Sequence, residues 1–284
     1  MKCTCHIDNS AMKVSSLLIL SLFCTLVHSY GHDGHQIIGQ VTWNLFSDNM
    51  KENVLPSLMK NMSMQDISVW ADQVKHSRKY SFTRSWHYYD SPMSQPPEYC
   101  HFLLPPPKED KVNLVNVLKA LEHNLTSSDV PLWDKQFAFR MMVHMIQDSA
   151  QPLHLIHVPG LNTPIKNQRG IKTNLHAYWD IDTVDQLVNG DRNALIEQLT
   201  QEALSDGAPS QCEYDVLLQW MSKTEKVNCE TVWRDIDNQD YHDRASSIVF
   251  RLLKEAALYS QCYLTTILTP KSASDNSLRL VSQL

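Results

Sequence analysis

The chain has 284 residues, of which 43% are hydrophobic and 20% charged, with 7 Gly and 13 Pro. That is enough apolar mass for one large domain or two small ones, and it excludes a mini-protein, a collagen, a solenoid or bulk disorder. Its 25 Lys+Arg against 31 Asp+Glu give a formal net charge of -6, so attraction to phosphate must come from a local site and not from the surface as a whole.

At the amino terminus Lys13 precedes an apolar run from Leu17 to Val27, followed by Val27-His28-Ser29. This is the pattern of a secretory leader cleaved after Ser29, leaving Tyr30 as the first mature residue. The run is short for a bilayer span, and no other stretch approaches 18 apolar residues, so no stable membrane association is expected. Cleavage removes Cys3, Cys5 and Cys24 and leaves Cys100, Cys212, Cys229 and Cys262. An even number in an oxidising compartment points to two disulfides. Asn61-Met62-Ser63 and Asn124-Leu125-Thr126 are glycosylation acceptors on the same route. The expected location is outside the cell, or the lumen of the secretory and endolysosomal pathway.

The mature chain reads as mostly helical. Asp33 can cap a helix carrying Ile37, Ile38 and Val41, and a second helix covers residues 65–79 around Ile67, Trp70 and Val74. Residues 91–107 hold six prolines and read as an irregular loop that Cys100 could pin down. Three-to-four spacing of apolar residues then predicts helices over residues 110–125, 132–149, 192–204 and 243–266. Residues 158–173 read as a loop or short hairpin, and the chain beyond Thr269 as a polar tail. The expected organisation is a leader over 1–29, one all-α domain over 30–269 with irregular loops and at most a short hairpin, and a tail over 270–284.

Thirteen histidines supply the chemistry. His144 and Asp148 are four apart on one predicted helix, so both side chains leave the same face and can hold one ion. His176 and Asp180 repeat the spacing. His154 follows Gln151-Pro152, where proline ends the helix and turns the chain back toward the pocket. Upstream stand Asp72, on a predicted helix, and His87, after a polar turn. Nitrogen and oxygen donors without free thiols point to zinc. His32, His76, His101, His123, His157 and His242 lack matching carboxylates and read as surface or structural, and Trp179 as core.

These motifs form an ordered series: Tyr30-Gly31-His32-Asp33-Gly34-His35, Trp70-Ala71-Asp72, Trp86-His87-Tyr88-Tyr89-Asp90, His144 to His154 through Asp148 and Gln151-Pro152, and Asn174-Leu175-His176 with Asp180. The series resembles the class I zinc nuclease/3′-nucleotidase family, single-strand-preferring enzymes that share the fold of bacterial zinc phospholipase C. The likeness runs from Tyr30 to about Asp180 and is vaguer beyond. It implies three zinc ions per chain. Asp72, His87, His144 and Asp148 would hold the first, and His154, His176 and Asp180 the second. The third would be held by the α-amino nitrogen and carbonyl oxygen of Tyr30, by His35, and by Asp148 bridging to the first. Leader cleavage would then complete the site, since an amide nitrogen at Tyr30 has no lone pair free to ligate.

Three Zn²⁺ against three carboxylates leave a local excess of about three positive charges, a positive pole in an acidic protein. The resemblance further implies hydrolysis of RNA and single-stranded DNA to 5′-phosphorylated products, and of 3′-nucleotides, with Asp72, Asp148 and Lys75 in catalytic roles. Lys75 stands where the family has Arg; it keeps the charge and loses the bidentate fork. Tyr88 would stack a base and Asp90 bind its edge, whereas a purely structural reading makes Tyr88 and Tyr89 core aromatics. Asn162 would meet the substrate, from a loop that departs from the family pattern. Tyr30 replaces the usual Trp. By family position Cys100 pairs with Cys229 and Cys212 with Cys262. Two rivals stand beside this reading. One is a phospholipase C-like enzyme, disfavoured by Asp180 where that family has Glu; the other is a secreted binding protein with structural zinc and lost activity.

Overall fold

The computed structural model describes residues 30–89, 112–155, 162–209 and 212–269. The leader, Asp90, the proline-rich loop with Cys100, His101 and His157, and the tail lie outside them. Ten α-helices are present among the described residues: α1 Gly31–Leu45, α2 Leu55–Met59, α3 Met64–Val74, α4 Leu114–Thr126, α5 Leu132–Asp148, α6 Leu175–Ala177, α7 Thr183–Val188, α8 Arg192–Asp206, α9 Tyr214–Val227 and α10 Tyr241–Leu268. Two strands, β1 Pro164–Lys166 and β2 Lys172–Asn174, form an antiparallel hairpin with Ile165 opposite Thr173. The protein is all-α with one short hairpin, and none of its described helices is long and apolar enough to cross a membrane.

The helices meet in one continuous core. α5 is buried along nearly its whole C-terminal half, from Ala138 to Asp148 apart from Arg140, so it is the central rod against which α3 and α4 pack. α1 crosses α3 closely enough that a Cβ on Gly39 would lie 2.3 Å from Ser68 Oγ and 2.9 Å from Met64 O; only glycine fits there. α10 backs the assembly with Val249, Leu252, Leu253, Ala256 and Ala257. Cys212 and Cys262 are joined in a disulfide with a Cα–Cα distance of 5.7 Å, tying the entry of α9 to α10 across 50 residues. A loop of that length constrains the unfolded chain by about 4 kcal/mol in the chain-entropy account.

Several boundaries differ from the sequence expectation, each for a local reason. Asp33 does not cap α1. The helix begins at Gly31, after left-handed turns at Tyr30 (φ 43) and Gly31 (φ 54), and Asp33 lies within the first turn, where it complements the helix dipole. The second helix opens with a capping box between Ser63 and Asp66 and stops at Val74, not Lys79. There Ser77 closes on the Val74 carbonyl with both its backbone N–H and its hydroxyl. The chain then runs into a 3-10 turn, Ser81–His87. His176 and Asp180 sit not on a regular helix but on the three-residue α6 and the wider π turn Tyr178–Asp182. α9 lies outside the expected helices: its buried stripe of Leu217, Trp220 and Met221 continues through the polar Thr224 and Glu225.

Candidate metal centre

Seven elements converge on one buried polar cluster. α1 brings His35, α3 brings Asp72, the 3-10 turn brings His87, and α5 brings His144 and Asp148. A second 3-10 turn, Pro152–His154, brings His154. Opposite it, the π turn and α6 bring Asp180 and His176. All of these are buried except His176, which is partly exposed. Three subsets have ligand atoms close enough to share an ion: His35, His144 and Asp148; Asp72, His87 and His144; and His154, His176 and Asp180.

The second subset closes into four donors when Asp148 is added. His144 Nε2 lies 3.5 Å from Asp72 Oδ1, 3.3 Å from Asp148 Oδ2 and 3.1 Å from His87 Nδ1. His87 Nδ1 lies 2.9 Å from Asp148 Oδ2 and 3.5 Å from Asp72 Oδ1. A tetrahedral zinc with ligands at about 2.0–2.1 Å separates its donors by about 3.3 Å, so these edges fit. Asp148 then turns its other oxygen away: Oδ1 is 3.3 Å from His35 Nε2. One carboxylate thus faces two donor groups, one through each oxygen.

Hydrogen bonds on the far side of the donors fix which atom each presents. His144 Nδ1 donates to the Ser68 carbonyl and His154 Nδ1 to the His87 carbonyl at 2.8 Å. His35 Nδ1 meets Gln147 Oε1 at 2.7 Å, and the Gln147 amide donates to Ser68 Oγ at 2.9 Å. Gln151 donates to Asp180 Oδ1, leaving Oδ2 3.1 Å from His176 Nε2. This is the outer arrangement that orients metal-binding imidazoles and carboxylates. What remains is a set of buried atoms with no hydrogen-bond partner: His35 Nε2, Asp148 Oδ1, His176 Nε2 and Asp180 Oδ2. Facing lone pairs, buried and unpaired, are costly unless a cation lies between them, so the residues fit a metal.

Electrostatics divide the cluster. Burial opposes charge on His144, but the carboxylates of Asp148 and Asp72 override it and raise the imidazole to about 10. The same contacts hold both carboxyls well below their usual range against the effect of burial. On the other side, burial pushes His154 down to about 3, and burial with the Lys75 charge pushes His176 to about 4. Burial also drives Asp180 well above the ordinary carboxylate range.

Around the donors, Tyr30 is fully buried, with its hydroxyl donating to the Ala150 carbonyl at 2.7 Å. Its ring lies edge-on to His35 at 6.4 Å. Lys75 is inside the cluster, its side chain 11% exposed and its Nζ 2.6 Å from Asp72 Oδ1. Tyr88 and Tyr89 part company: Tyr89 is buried, and Tyr88 is 42% exposed beside His87. Asn162 is exposed at the foot of the hairpin, and Asp90 lies outside the described residues. Trp179 is core, donating to the Tyr241 hydroxyl at 2.9 Å. Gln147 was not anticipated from the sequence, and Gln151 was read only as part of a motif, without its role on Asp180. The signal for Gln147 is a buried amide next to the donor Asp148 in the chain.

An all-α scaffold enclosing a buried His/Asp cluster with three donor groups, two of them sharing His144, is built to hold metal ions. The S1/P1 nuclease family matches residues 30–259, and the chain belongs to that family. It is similar to Endonuclease 1 of Arabidopsis thaliana, 26% identical over 242 residues covering 78% of this chain and 77% of that protein. It is also similar to Endonuclease 5 of Arabidopsis thaliana, 26% identical over 66% of this chain and 67% of that protein. Nuclease S1 of Aspergillus oryzae is 21% identical over 87% of this chain and 94% of that protein. The chain is a nuclease, a hydrolase of phosphodiester bonds in nucleic acid, in a family that depends on zinc.

Proposed function

We propose that the protein is a secreted three-zinc endonuclease that cuts RNA and single-stranded DNA to 5′-phosphorylated products and also removes phosphate from 3′-nucleotides. The observation that carries the reading is Asp148, whose two oxygens face two separate donor groups. Asp72, His87, His144 and Asp148 would hold one zinc, His154, His176 and Asp180 a second, and His35, Asp148 and the Tyr30 backbone a third. When bound, zinc supplies Lewis acidity and a nucleophile at neutral pH.

The protein's own groups do the rest. The Nδ1 bonds of His35, His144 and His154 hold the rings in the tautomer that leaves Nε2 as donor. Lys75 places a charge within the cluster, where it can exchange Asp72 for a substrate phosphate oxygen and offset charge that develops in the transition state. Tyr88 offers an exposed face for a base next to the donor His87. Asp90 would take the base edge and Asn162 the strand near the hairpin. The segment before Tyr30 would be a leader and residues 270–284 a tail. Cys100 with Cys229 would form a second disulfide, and Asn61 and Asn124 would carry glycans. Asn61, exposed on a left-handed turn (φ 65), suits an attachment point.

The deciding assay measures zinc-dependent release of 5′-phosphorylated fragments from RNA and single-stranded DNA, and of inorganic phosphate from 3′-AMP. Products ending in 3′-phosphate, or full activity in chelator, would overturn the reading.

A further inference from the structure

The 3-10 turn that ends on His87 carries more than a metal donor. Between Asp72 and Asp90 the sequence has no acidic residue; it holds Lys75, Arg78, Lys79 and Arg84 interleaved with Tyr80, Phe82, Trp86 and Tyr88. In a chain of net charge -6 this is a local reversal of sign. Rings alternating with cations make a surface that takes a single strand, with bases stacked on rings and phosphates on charges.

Apart from the buried Lys75, the structure keeps these groups at or near the surface and packs the rings against one another. Phe82 is 57% exposed, and Arg78, Lys79 and Arg84 are exposed as well. The Phe82 ring meets Trp86 edge-on at 5.4 Å. Both rest on Phe137 of α5, at 6.5 and 6.2 Å. Phe137 is in turn stacked on Tyr80 at 5.8 Å. A ring propped by two others, one of them backed in turn by Tyr80, loses little freedom when a base settles on it. Arg84 is anchored through Nε on the Lys75 carbonyl at 3.1 Å, and Lys79 Nζ stands 4.9 Å over the Tyr80 ring. Lys79 just before the turn and Arg84 within it thus put cations beside the aromatics along the chain.

We infer that Phe82, backed by Trp86, is a second base platform that grips the single-stranded substrate away from the phosphate being cut. The inference rests on the proposed action on single strands. A 3-10 turn rises about 2.0 Å per residue, so Phe82 stands about 10 Å along it from His87. That distance is about three nucleotides of a stacked strand at about 3.4 Å each. Stacking is indifferent to base identity, so the platform favours length over sequence. It also disfavours duplexes, whose base faces are already covered.

Phe82→Ser tests the platform, because an exposed ring can be removed without opening the core. The substrates are a 12-residue oligothymidylate and the dinucleotide TpT, which is too short to reach Phe82. Stacking on one ring is worth a factor of about 5 to 150 in affinity. In Phe82→Ser the KM for the 12-mer should rise about tenfold with kcat within about threefold, and the parameters on TpT should hold. The Kd for a phosphorothioate 12-mer, read by fluorescence anisotropy, should rise in parallel. Phe82→Tyr keeps a ring and should restore parent values. Leu204→Ser, at a position 64% exposed on α8, should change neither constant. A KM and Kd within about twofold of the parent would overturn the platform. So would a Phe82→Ser protein that binds DNA normally but no longer sediments with phosphatidylserine vesicles, which would assign the ring to a membrane. If the parent binds the 12-mer through Phe82 yet cuts neither substrate, action on single strands falls and the platform stands.

Discussion

Two halves of one core bury their side chains on different terms. Where α1, α3 and α5 meet, the interior contains His35, Asp72, Lys75, His87, His144, Gln147 and Asp148, all at most 9% exposed. Across residues 183–269 the described buried polar groups shrink to Thr183, Thr224, Glu225, Asn228 and Ser260, and α10 is filled with Val249, Leu252, Leu253 and two alanines. Burying ionisable groups usually costs more than apolar packing of the same volume. The first half therefore carries groups that stability alone would not select, and the second half supplies the apolar burial that tolerates them. Function is concentrated where the packing is least favourable.

The largest test of that division is Asp148→Asn. The amide keeps the shape and removes the charge, and an Asn has only one acceptor oxygen for two donor groups. Activity should drop by at least about 10²-fold, zinc content should fall below three per chain, and the helical signal in circular dichroism should persist. Full activity with three zincs would refute the bridge and with it the claim that this half is a metal centre built on one carboxylate.

Lys75 should come next. It is a buried lysine in the polar half, 2.6 Å from Asp72, so its removal exposes whether the charge serves the reaction or merely balances Asp72. A transition-state contact predicts a loss of kcat of about 10²-fold in Lys75→Ala, insensitive to salt, with Lys75→Arg holding or raising the parent rate. A kcat within about threefold at both low and high salt would place Lys75 outside the mechanism. Zinc content measured on the same samples separates the two roles, because a balancing charge acts on metal affinity and a catalytic one on rate.

The two halves were also unequally legible. His144 and Asp148 could be read because i,i+4 spacing on a long helix has only one geometric meaning, and His154 because Pro152 forces the chain to turn. The i,i+4 spacing of His176 and Asp180 was visible, but its backbone was not: a π turn is stabilised by tertiary packing and leaves no periodic trace in so short a stretch. Of the amides that aim the donors, Gln151 stood in the motif with Pro152 without a visible role, and Gln147 carries no motif, since an amide in a chain has many fates and only the fold brings Gln147 to His35. In the apolar half α9 was hidden because Thr224 and Glu225 occupy buried positions and blunt the pattern that Leu217, Trp220 and Met221 begin.

A smaller effect concerns the metal-free protein, in which the polar half has to satisfy itself. Burial holds His154 down to about 3, and burial with Lys75 holds His176 down to about 4, while an unfolded imidazole titrates near 6.5. Between those limits the unfolded chain takes up protons that the folded chain refuses, so stability should fall as pH drops from about 6.5 toward 4. His144, raised to about 10, works in the other direction: its contribution is complete below about 6.5 and fades as pH rises toward 10. Thermal melts in chelator should therefore show the midpoint falling between pH 7 and 5, and His154→Asn should flatten that limb. An unchanged slope in the variant would remove His154 from the account.

The smallest expected effect on chemistry lies in the apolar half, and it tests the comparison from the other side. Leu252 is fully buried on α10, so Leu252→Ala opens a cavity and should cost about 2–5 kcal/mol of stability. α10 contributes none of the donors, so kcat per folded molecule and zinc content should both stay within about twofold of the parent at a temperature well below the lowered midpoint. Urea titration gives the first quantity, and active-site counting by metal analysis normalises the second. A tenfold fall in kcat with metal retained would mean that α10 sets the position of α1 and α5 closely enough to govern the reaction. The two halves would then be one mechanical unit, and the separation of scaffold from site would fail at the helix that joins them.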